Sequence, residues 1–237
     1  MTRRRKARLQ FSLPSRSVGM VNDWGTSEDS SILIGEARGI KTSSRNFAVD
    51  VLDAILKADI PAAWVLPSSF DEEDVTLKNV MLELIMQIIA LNPSVLSNGI
   101  NPVSARHFKA TSTIDDLFTI LQRCLRGMGR LFIIIDLILV GKVLQKDSSL
   151  EIEEFVGKMY DMTSSSKTIL KIIALTWRSD ASLSGLSQEI SRVTVIATDP
   201  GARKVQLMRR PKYKAAFASR NQRLDVKDWK TNDLDTG

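Results

Sequence analysis

Five short apolar segments recur along the chain, each bounded by glycine, proline or polar residues. They are residues 31–34 (SILI), 62–67 (AAWVLP), 131–136 (LFIIID), 169–176 (ILKIIALT) and 192–198 (RVTVIAT). Their lengths are those of β-strands, and none shows the polar–apolar alternation of a strand with one face in water. Strands of this kind are buried on both faces, as in a parallel sheet. The pattern therefore predicts five buried strands.

Apolar residues at helical spacing separate these strands. They predict helices around residues 47–55, 77–88, 117–125 and 151–161. An acidic cluster at 71–74 suits the start of the second helix, because the helix dipole favours negative charge there. Thr113 and Asp116 have the spacing of a capping box, and residues 94–112 look like a loop. Alternating strands and helices predict an α/β fold, a parallel central sheet of about five strands with helices on both faces.

Charge is concentrated at the two ends of the chain, whose net charge is +6. Residues 1–20 have six basic and no acidic side chains, and residues 201–230 have ten basic and two acidic ones. Like-charged ends are typical of solvated tails and, less often, of arms that touch nucleic acid. We predict a disordered basic segment at 1–20, one folded domain at 21–200, and a basic C-terminal segment at 201–237.

The chain has one cysteine, Cys124, and one histidine, His107. Disulfide frameworks and zinc sites built from several such side chains are thus excluded. Cys124 lies on the apolar face of a predicted helix, which indicates a buried, unreactive thiol. His107 lies in a polar stretch typical of a solvated loop. The cysteine usage, the lack of a signal peptide and apolar runs too short for a membrane predict an intracellular, cytoplasmic protein without membrane contact.

A strand, a glycine-containing turn and a helix follow one another near the start of the predicted domain. The turn is residues 35–42 (GEARGIKT). Gly35, Lys41 and Thr42 fall at the spacing of the motif G-x-x-x-x-G-K-[ST], in which backbone N–H groups and the lysine bind phosphate and the hydroxyl binds Mg²⁺. The pattern predicts a site for ATP or GTP with Mg²⁺. The alternative is an ordinary strand–turn–helix with a solvated Lys41.

The turn departs from that motif at one position. Ile40 stands where the motif has its second glycine, and Gly39 comes one position early. A β-branched residue is stiff and ill suited to the unusual dihedral angles that let the backbone approach phosphate. Either Gly39 takes over the role of the missing glycine, or the loop wraps phosphate poorly. Arg38 and Gly39 complete the set of residues predicted to contact nucleotide in this loop.

An aspartate, Asp136, ends the third apolar strand. An acid in this position holds Mg²⁺ beside nucleotide phosphates, usually through water. The alternative is that Asp136 caps the next helix or faces solvent. A hydrolase usually places a second acid soon afterwards to orient the attacking water, but here no acid occurs before Asp147. The sequence predicts binding without efficient hydrolysis, and no catalytic residue is assigned.

Arg178 follows the fourth apolar segment, with only Trp177 between them. Parallel sheets bind ligands at the carboxyl ends of their strands, so a cationic side chain there can reach the terminal phosphate of a nucleotide. A surface arginine after a strand fits the sequence equally well. Arg178 is the last residue of the predicted nucleotide site.

These elements, in this order, resemble the STAND class of P-loop NTPases, and within it the NACHT-type domains of fungal NOD-like proteins. The resemblance covers residues 24–200. It implies that Lys41 contacts phosphate and that Thr42 and Asp136 bind Mg²⁺. It also implies that Arg178 senses the nucleotide. The two departures described above, in the loop and after the aspartate, imply a degenerate member of the class.

Three functions remain open from the sequence. The first is a nucleotide-binding switch or assembly module with little or no hydrolysis, partnered by another protein or a second copy. The second is a pseudo-NTPase, an interaction domain that keeps the fold and binds no nucleotide. The third is a nucleic-acid-associated protein that works through its basic ends, although no repeat of aromatic and basic residues around Tyr213 and Trp229 suggests a stacking platform.

Overall fold

The apolar segments form one sheet in the computed structural model of the chain. The structure describes residues 11–12, 15–38, 43–66, 75–97, 102–111, 113–147, 150–177, 183, 190–197, 226 and 229. Within these residues the parallel strands are β2 (Ser31–Arg38), β3 (Ala62–Val65), β4 (Arg130–Asp136), β5 (Ile169–Trp177) and β6 (Ser191–Ala197). A two-residue strand, β1 (Phe11–Ser12), runs antiparallel to β6. The predicted parallel sheet of five strands is confirmed.

The order of strands in the sheet differs from their order in the chain. The sheet reads β1-β6-β2-β5-β4-β3. From β2 the chain runs to the far edge at β3, returns through β4 and β5, and then adds β6 on the other side of β2. Parallel neighbours need long crossover connections, and these connections supply the helices that cover the sheet. The first long strand of the chain thus becomes an interior strand, with β6 on one side and β5 on the other.

Helices cover both faces of the sheet, as predicted. On one face lie α1 (Ser15–Thr26) and α2 (Ser43–Lys57), and this core also holds Val226 and Trp229 from the predicted C-terminal segment. The other face is covered by α3 (Leu77–Leu91), α5 (Ile114–Cys124), α6 (Leu137–Asp147) and α7 (Ile152–Ser165). A 3₁₀ turn (Pro93–Leu96) and α4 (Ala105–Ala110) connect α3 to α5. Because both faces are dry, alternate residues of each strand enter different cores.

Local hydrogen bonds fix two helix starts. The Thr113 hydroxyl accepts a hydrogen bond from the Asp116 N–H, and the Asp116 carboxylate accepts one from the Thr113 N–H. The predicted capping box of α5 is therefore confirmed. Helix α3 begins at Leu77, where the Thr76 hydroxyl accepts from the Asn79 N–H. The acidic cluster at 71–74, predicted near the start of this helix, lies outside the described residues.

Three helices lie where the sequence predicts none. Helix α1 includes residues 15–20, predicted to be disordered, α4 lies within the predicted loop 94–112, and α6 follows β4 without a break. Helix α1 buries Val18, Val21 and Trp24 among mostly polar neighbours. Such a weak stripe is stabilised chiefly by packing against the sheet, which local sequence does not reveal.

The single cysteine and the single histidine have structural roles. Cys124 is buried on α5, as predicted, and burial raises the pKa of its thiol to about 11. The prediction of a loop for His107 is wrong. It lies in α4, and its Nδ1 accepts a hydrogen bond of 3.1 Å from the Ser104 N–H. The imidazole therefore closes a capping box at the start of this short helix.

A glutamine side chain occupies the free edge of β3. Gln87, on α3, accepts a hydrogen bond of 2.8 Å from the Trp64 N–H through Oε1. Its Nε2 donates one of 3.0 Å to the Trp64 carbonyl. The side-chain amide therefore satisfies both backbone groups that a neighbouring strand would otherwise bind at this residue.

A lysine is fully buried near the amino-terminal end of β5. Lys171, in β5, is 0% exposed, and its Nζ lies 3.2 Å from Ser31 Oγ and 5.5 Å from the centre of the Trp24 ring. Burial lowers the pKa of Lys171 to about 8; the positive charge of Arg130 lowers it further, and Asp29 opposes the shift. The folded chain therefore binds the proton of the Lys171 ammonium group less tightly than the unfolded chain does.

We predict that the contribution of Lys171 to stability rises with pH between about 8 and 10.5, because the unfolded chain then retains the proton that folded Lys171 has lost. The raised pKa of Cys124 opposes this rise above about pH 9, so the effect is measured as the difference between the wild type and a Lys171 variant. The gain is up to roughly 3 kcal/mol across this window. Lys171→Met should remove the rise, whereas Lys167→Met, at an exposed position just before β5, should keep it. Urea unfolding measured across the same pH range checks both variants. Equal pH profiles for the wild type and Lys171→Met would contradict the prediction.

Candidate functional site

The carboxyl ends of β2, β5 and β4 form the edge of the sheet where a ligand is expected. The chain leaves β2 toward α2 on one face, and it leaves β4 toward α6 on the opposite face. Connections that diverge in this way open a crevice above the strand ends of an open parallel sheet. The predicted loop and Asp136 both belong to this edge.

The first part of the predicted loop is strand. The prediction that the strand ends before Gly35 is wrong, because β2 continues to Arg38. Gly35 is paired in register with Leu175 of β5 and with Val193 of β6. The pairing continues beyond it on both sides, so the backbone groups here are used in two ladders. A glycine that marks a turn in the sequence is thus held in the middle of the sheet.

Four residues, 39–42, remain between β2 and the start of α2 at Ser43. Gly39, Lys41 and Thr42 lie outside the described residues, as does the side chain of Arg38, the last residue of β2. Lys41 and Thr42 directly precede the first turn of α2 in the chain. A helix N-terminus presents free N–H groups and a positive dipole end, both of which favour phosphate.

Asp136 is the last residue of β4 and is 3% exposed. Its Oδ1 accepts hydrogen bonds of 2.8 Å from the Ile138 N–H and 3.3 Å from the Leu139 N–H. The carboxylate therefore caps α6, which is the alternative role that the sequence left open. Asp136 is in register with Leu175, which is in register with Gly35. Two strand spacings, roughly 10 Å, separate the aspartate from β2.

The residues after Asp136 are part of a core helix. The first turn of α6 carries no acidic residue. Leu137, Leu139 and Val140 are buried against the sheet. The place where a water-orienting acid is expected is therefore filled by apolar packing.

Arg178, the proposed sensor, lies outside the described residues and directly follows the end of β5 at Trp177. Thr176, two residues before it, is buried and in register with Glu36 of β2. The chain position of Arg178 next to the carboxyl end of β5 agrees with the predicted strand. Its contact with a nucleotide remains a prediction.

A buried carboxylate on β2 was not predicted. Glu36 is 8% exposed, and its Oε1 lies 3.5 Å from Nη1 of Arg192 on β6. Nη2 of Arg192 also donates a hydrogen bond to the Leu183 carbonyl. The ion pair joins β2, β6 and the connection before β6. The signal was the spacing of Ile32, Ile34 and Glu36, which places all three side chains on one face once β2 is extended.

A cavity of about 500 Å³ lies at the starts of α3 and α5 and beside α7. Lys158 on its wall lies 2.7 Å from Asp115 Oδ1 and 3.6 Å from Glu154 Oε1. None of the predicted site residues that the structure describes lines it. Across the described ranges, no helix has the length and apolar character to cross a membrane, and no three His, Cys, Asp or Glu side chains cluster to hold a metal.

Comparison with known proteins adds to this picture. No protein-family model matches the chain, and no curated protein matches its sequence. A Walker-type ATPase of Pyrococcus abyssi has a similar structure, with a TM-score of 0.50 and 16% sequence identity. The match covers 87% of this chain and 59% of the ATPase chain, so this chain spans less than two thirds of that protein. The likeness shows the fold alone, which is an α/β fold with a parallel sheet of five strands and helices on both faces.

The cap of α6 gives a direct test of the site geometry. We predict that Asp136→Ala destabilises the protein by about 1–2 kcal/mol, because two buried N–H groups lose their acceptor. Asp136→Asn keeps a side-chain oxygen and should lose much less. Urea unfolding compares the two variants, with Asp23→Ala at an exposed position of α1 as the control. Equal losses for the alanine and asparagine variants would show that the negative charge, rather than the cap, is what stabilises the helix.

Proposed function

We propose that this chain is a nucleotide-binding domain that binds ATP or GTP with Mg²⁺ and acts as a switch or assembly module with little or no hydrolysis. One observation carries the proposal. In a fold similar to that of a Walker-type ATPase, the interior strand β2 leads through four residues that include Lys41 and Thr42 into the start of α2. This is where such a fold concentrates free N–H groups and positive charge.

The proposal assigns roles to the predicted residues that follow Gly35, which is itself held within β2. Gly39, Lys41 and the first turn of α2 bind phosphate, while Arg38 and Arg178 add positive charge at neighbouring strand ends. Thr42 binds Mg²⁺ directly. Asp136 acts through water, since its Oδ1 is engaged in the cap of α6. In the same proposal the chain is a degenerate, intracellular STAND protein of the NACHT type.

Weak hydrolysis follows from the surroundings of Asp136. The first turn of α6 offers no second carboxylate to orient a water molecule. Removing a single catalytic contact of this kind lowers a rate by about 10²–10³. The bound state would then persist, as a switch or an assembly module requires.

We predict that ATP or GTP with Mg²⁺ raises the melting temperature. At ten times Kd the stabilisation is about 1.4 kcal/mol, which corresponds to roughly 3 °C for a domain of this size. Lys41→Ala should abolish the shift. Lys57→Ala, in the exposed last turn of α2, should leave it unchanged. Differential scanning fluorimetry with and without Mg²⁺ measures the effect, and no shift at millimolar nucleotide would refute nucleotide binding.

Hydrolysis is tested separately by phosphate release. We expect a rate near background for the wild type. Asp136→Asn, which keeps the helix cap, should then weaken the Mg²⁺-dependent part of the thermal shift. Release well above background, lost in Asp136→Asn, would show that the chain is an active NTPase.

A second candidate is an interaction domain that binds no nucleotide. The observation that favours it is the pairing of Gly35 and Glu36 with strands on both sides. A phosphate loop uses the same backbone N–H groups that these ladders already engage. This candidate requires no thermal shift with nucleotide and no effect of Lys41→Ala on the binding of a protein partner or a second copy.

A further inference from the structure

A tryptophan from near the end of the chain fills a slot beside the sheet. Trp229 is 0% exposed. Its ring stacks on Phe132 of β4, with the ring centres 5.3 Å apart and the planes at 11°. It also meets the Trp24 ring of α1 nearly at a right angle, at 6.0 Å. Three aromatic rings from three distant parts of the chain therefore form one packed group.

The slot has no room for any residue larger than glycine at position 25. A Cβ on Gly25 would lie 2.1 Å from the ring of Trp229, which is closer than atoms pack. Gly19, on the same helix, faces open space. The missing side chain of Gly25 thus leaves the space on α1 that the indole ring of Trp229 occupies.

Arg130 fastens the tryptophan backbone to α1. Its Nη1 donates hydrogen bonds of 2.6 Å to the Trp229 carbonyl and 3.3 Å to the Gly25 carbonyl. Its Nη2 donates one of 3.0 Å to the Ser27 carbonyl. The Trp229 N–H donates to the Val226 carbonyl at 3.2 Å, and Val226 is buried in the same core. Val226 and Trp229 are therefore bound to this core by defined contacts.

The same contact leaves polar atoms without partners. Nε1 of Trp24, Nε of Arg130 and Nε1 of Trp229 are buried and make no hydrogen bond within the described structure. Burying such a donor without an acceptor destabilises the state that contains it. Undocking of Trp229 would return these donors to water. Their burial therefore offsets part of the free energy that the aromatic packing contributes to the docked state.

The rest of the fold has cores that do not depend on Trp229. The opposite face of the sheet is closed by α3, α5, α6 and α7, and its core does not include Trp229. On the face where Trp229 lies, α2 covers the sheet with Phe47, Val51 and Ile55. The sheet therefore keeps buried faces when the tryptophan leaves its slot.

We propose that the slot formed by Trp24, Gly25, Phe132 and Arg130 is a tryptophan-accepting docking site whose occupant is the chain's own Trp229, together with Val226. Docking and undocking of these two residues is a step separate from folding of the sheet. This inference does not rest on nucleotide binding.

Binding in trans tests the docking site. The full chain with Trp229→Ala presents an empty slot, and the probe is a synthetic peptide of residues 222–234. We expect this peptide to bind at least about tenfold more tightly than the same peptide with Trp229→Ala, because the buried aromatic side chain is the anchor. Adding Gly25→Ala to the chain should abolish the difference, and adding Gly19→Ala should preserve it. Isothermal titration calorimetry gives the affinities. Equal binding of the two peptides, or no binding of either, would overturn the docking site.

Hydrogen exchange of the unaltered chain tests separability, whether or not the variants fold. The Trp229 amide is hydrogen-bonded to Val226, and the amides of β4 and β5 lie in the middle of the sheet. Local opening predicts that peptides containing Trp229 exchange at least about tenfold faster than those of β4 under native conditions. Exchange of both regions in one cooperative opening would contradict a separate docking step.

Discussion

The structure depends on the pairing of β2 with two parallel neighbours. β5 binds one side of it and β6 the other, so its backbone donors and acceptors are satisfied along both edges. Its side chains must then be satisfied above and below the sheet, which requires a helical layer on each face. The aliphatic residues of β2 supply one core through Ile32 and Ile34 and the other through Leu33. The position of this strand also sets where its carboxyl end delivers the chain to α2.

The same ladder competes with phosphate recognition. A backbone N–H that is bonded to a neighbouring strand is not available to a ligand, and β2 extends three residues past Gly35. The segment left to meet a nucleotide is therefore short and lies at the helix start. Asp136 faces a similar competition, because its Oδ1 holds the first turn of α6. At both positions, groups that a nucleotide would use also stabilise the fold.

The sequence was sufficient to predict those elements that a short run of residues marks by its own pattern. Uninterrupted apolar runs predicted the strands, and the residues of the capping box predicted the start of α5. Helix α1 could not be found in this way, because Trp24 packs against Phe132 and Trp229, far away in the chain. Within the site, the sequence placed Asp136 correctly at a strand end. It missed the extension of β2, which depends on pairing with β5 and β6, and the ion pair of Glu36 with Arg192, which exists only in that register.

Gln87 limits how the sheet can grow. Its amide binds Trp64 as a neighbouring backbone would, so a strand from another molecule would have to displace it before extending the sheet at β3. The opposite edge offers only the two residues of β1 in the described structure. A further strand is thus obstructed at the β3 edge by Gln87, and at the β1 edge it could pair with only two residues. Contacts between copies of this chain would then be made through helices and side chains, which can form and break without altering the sheet itself.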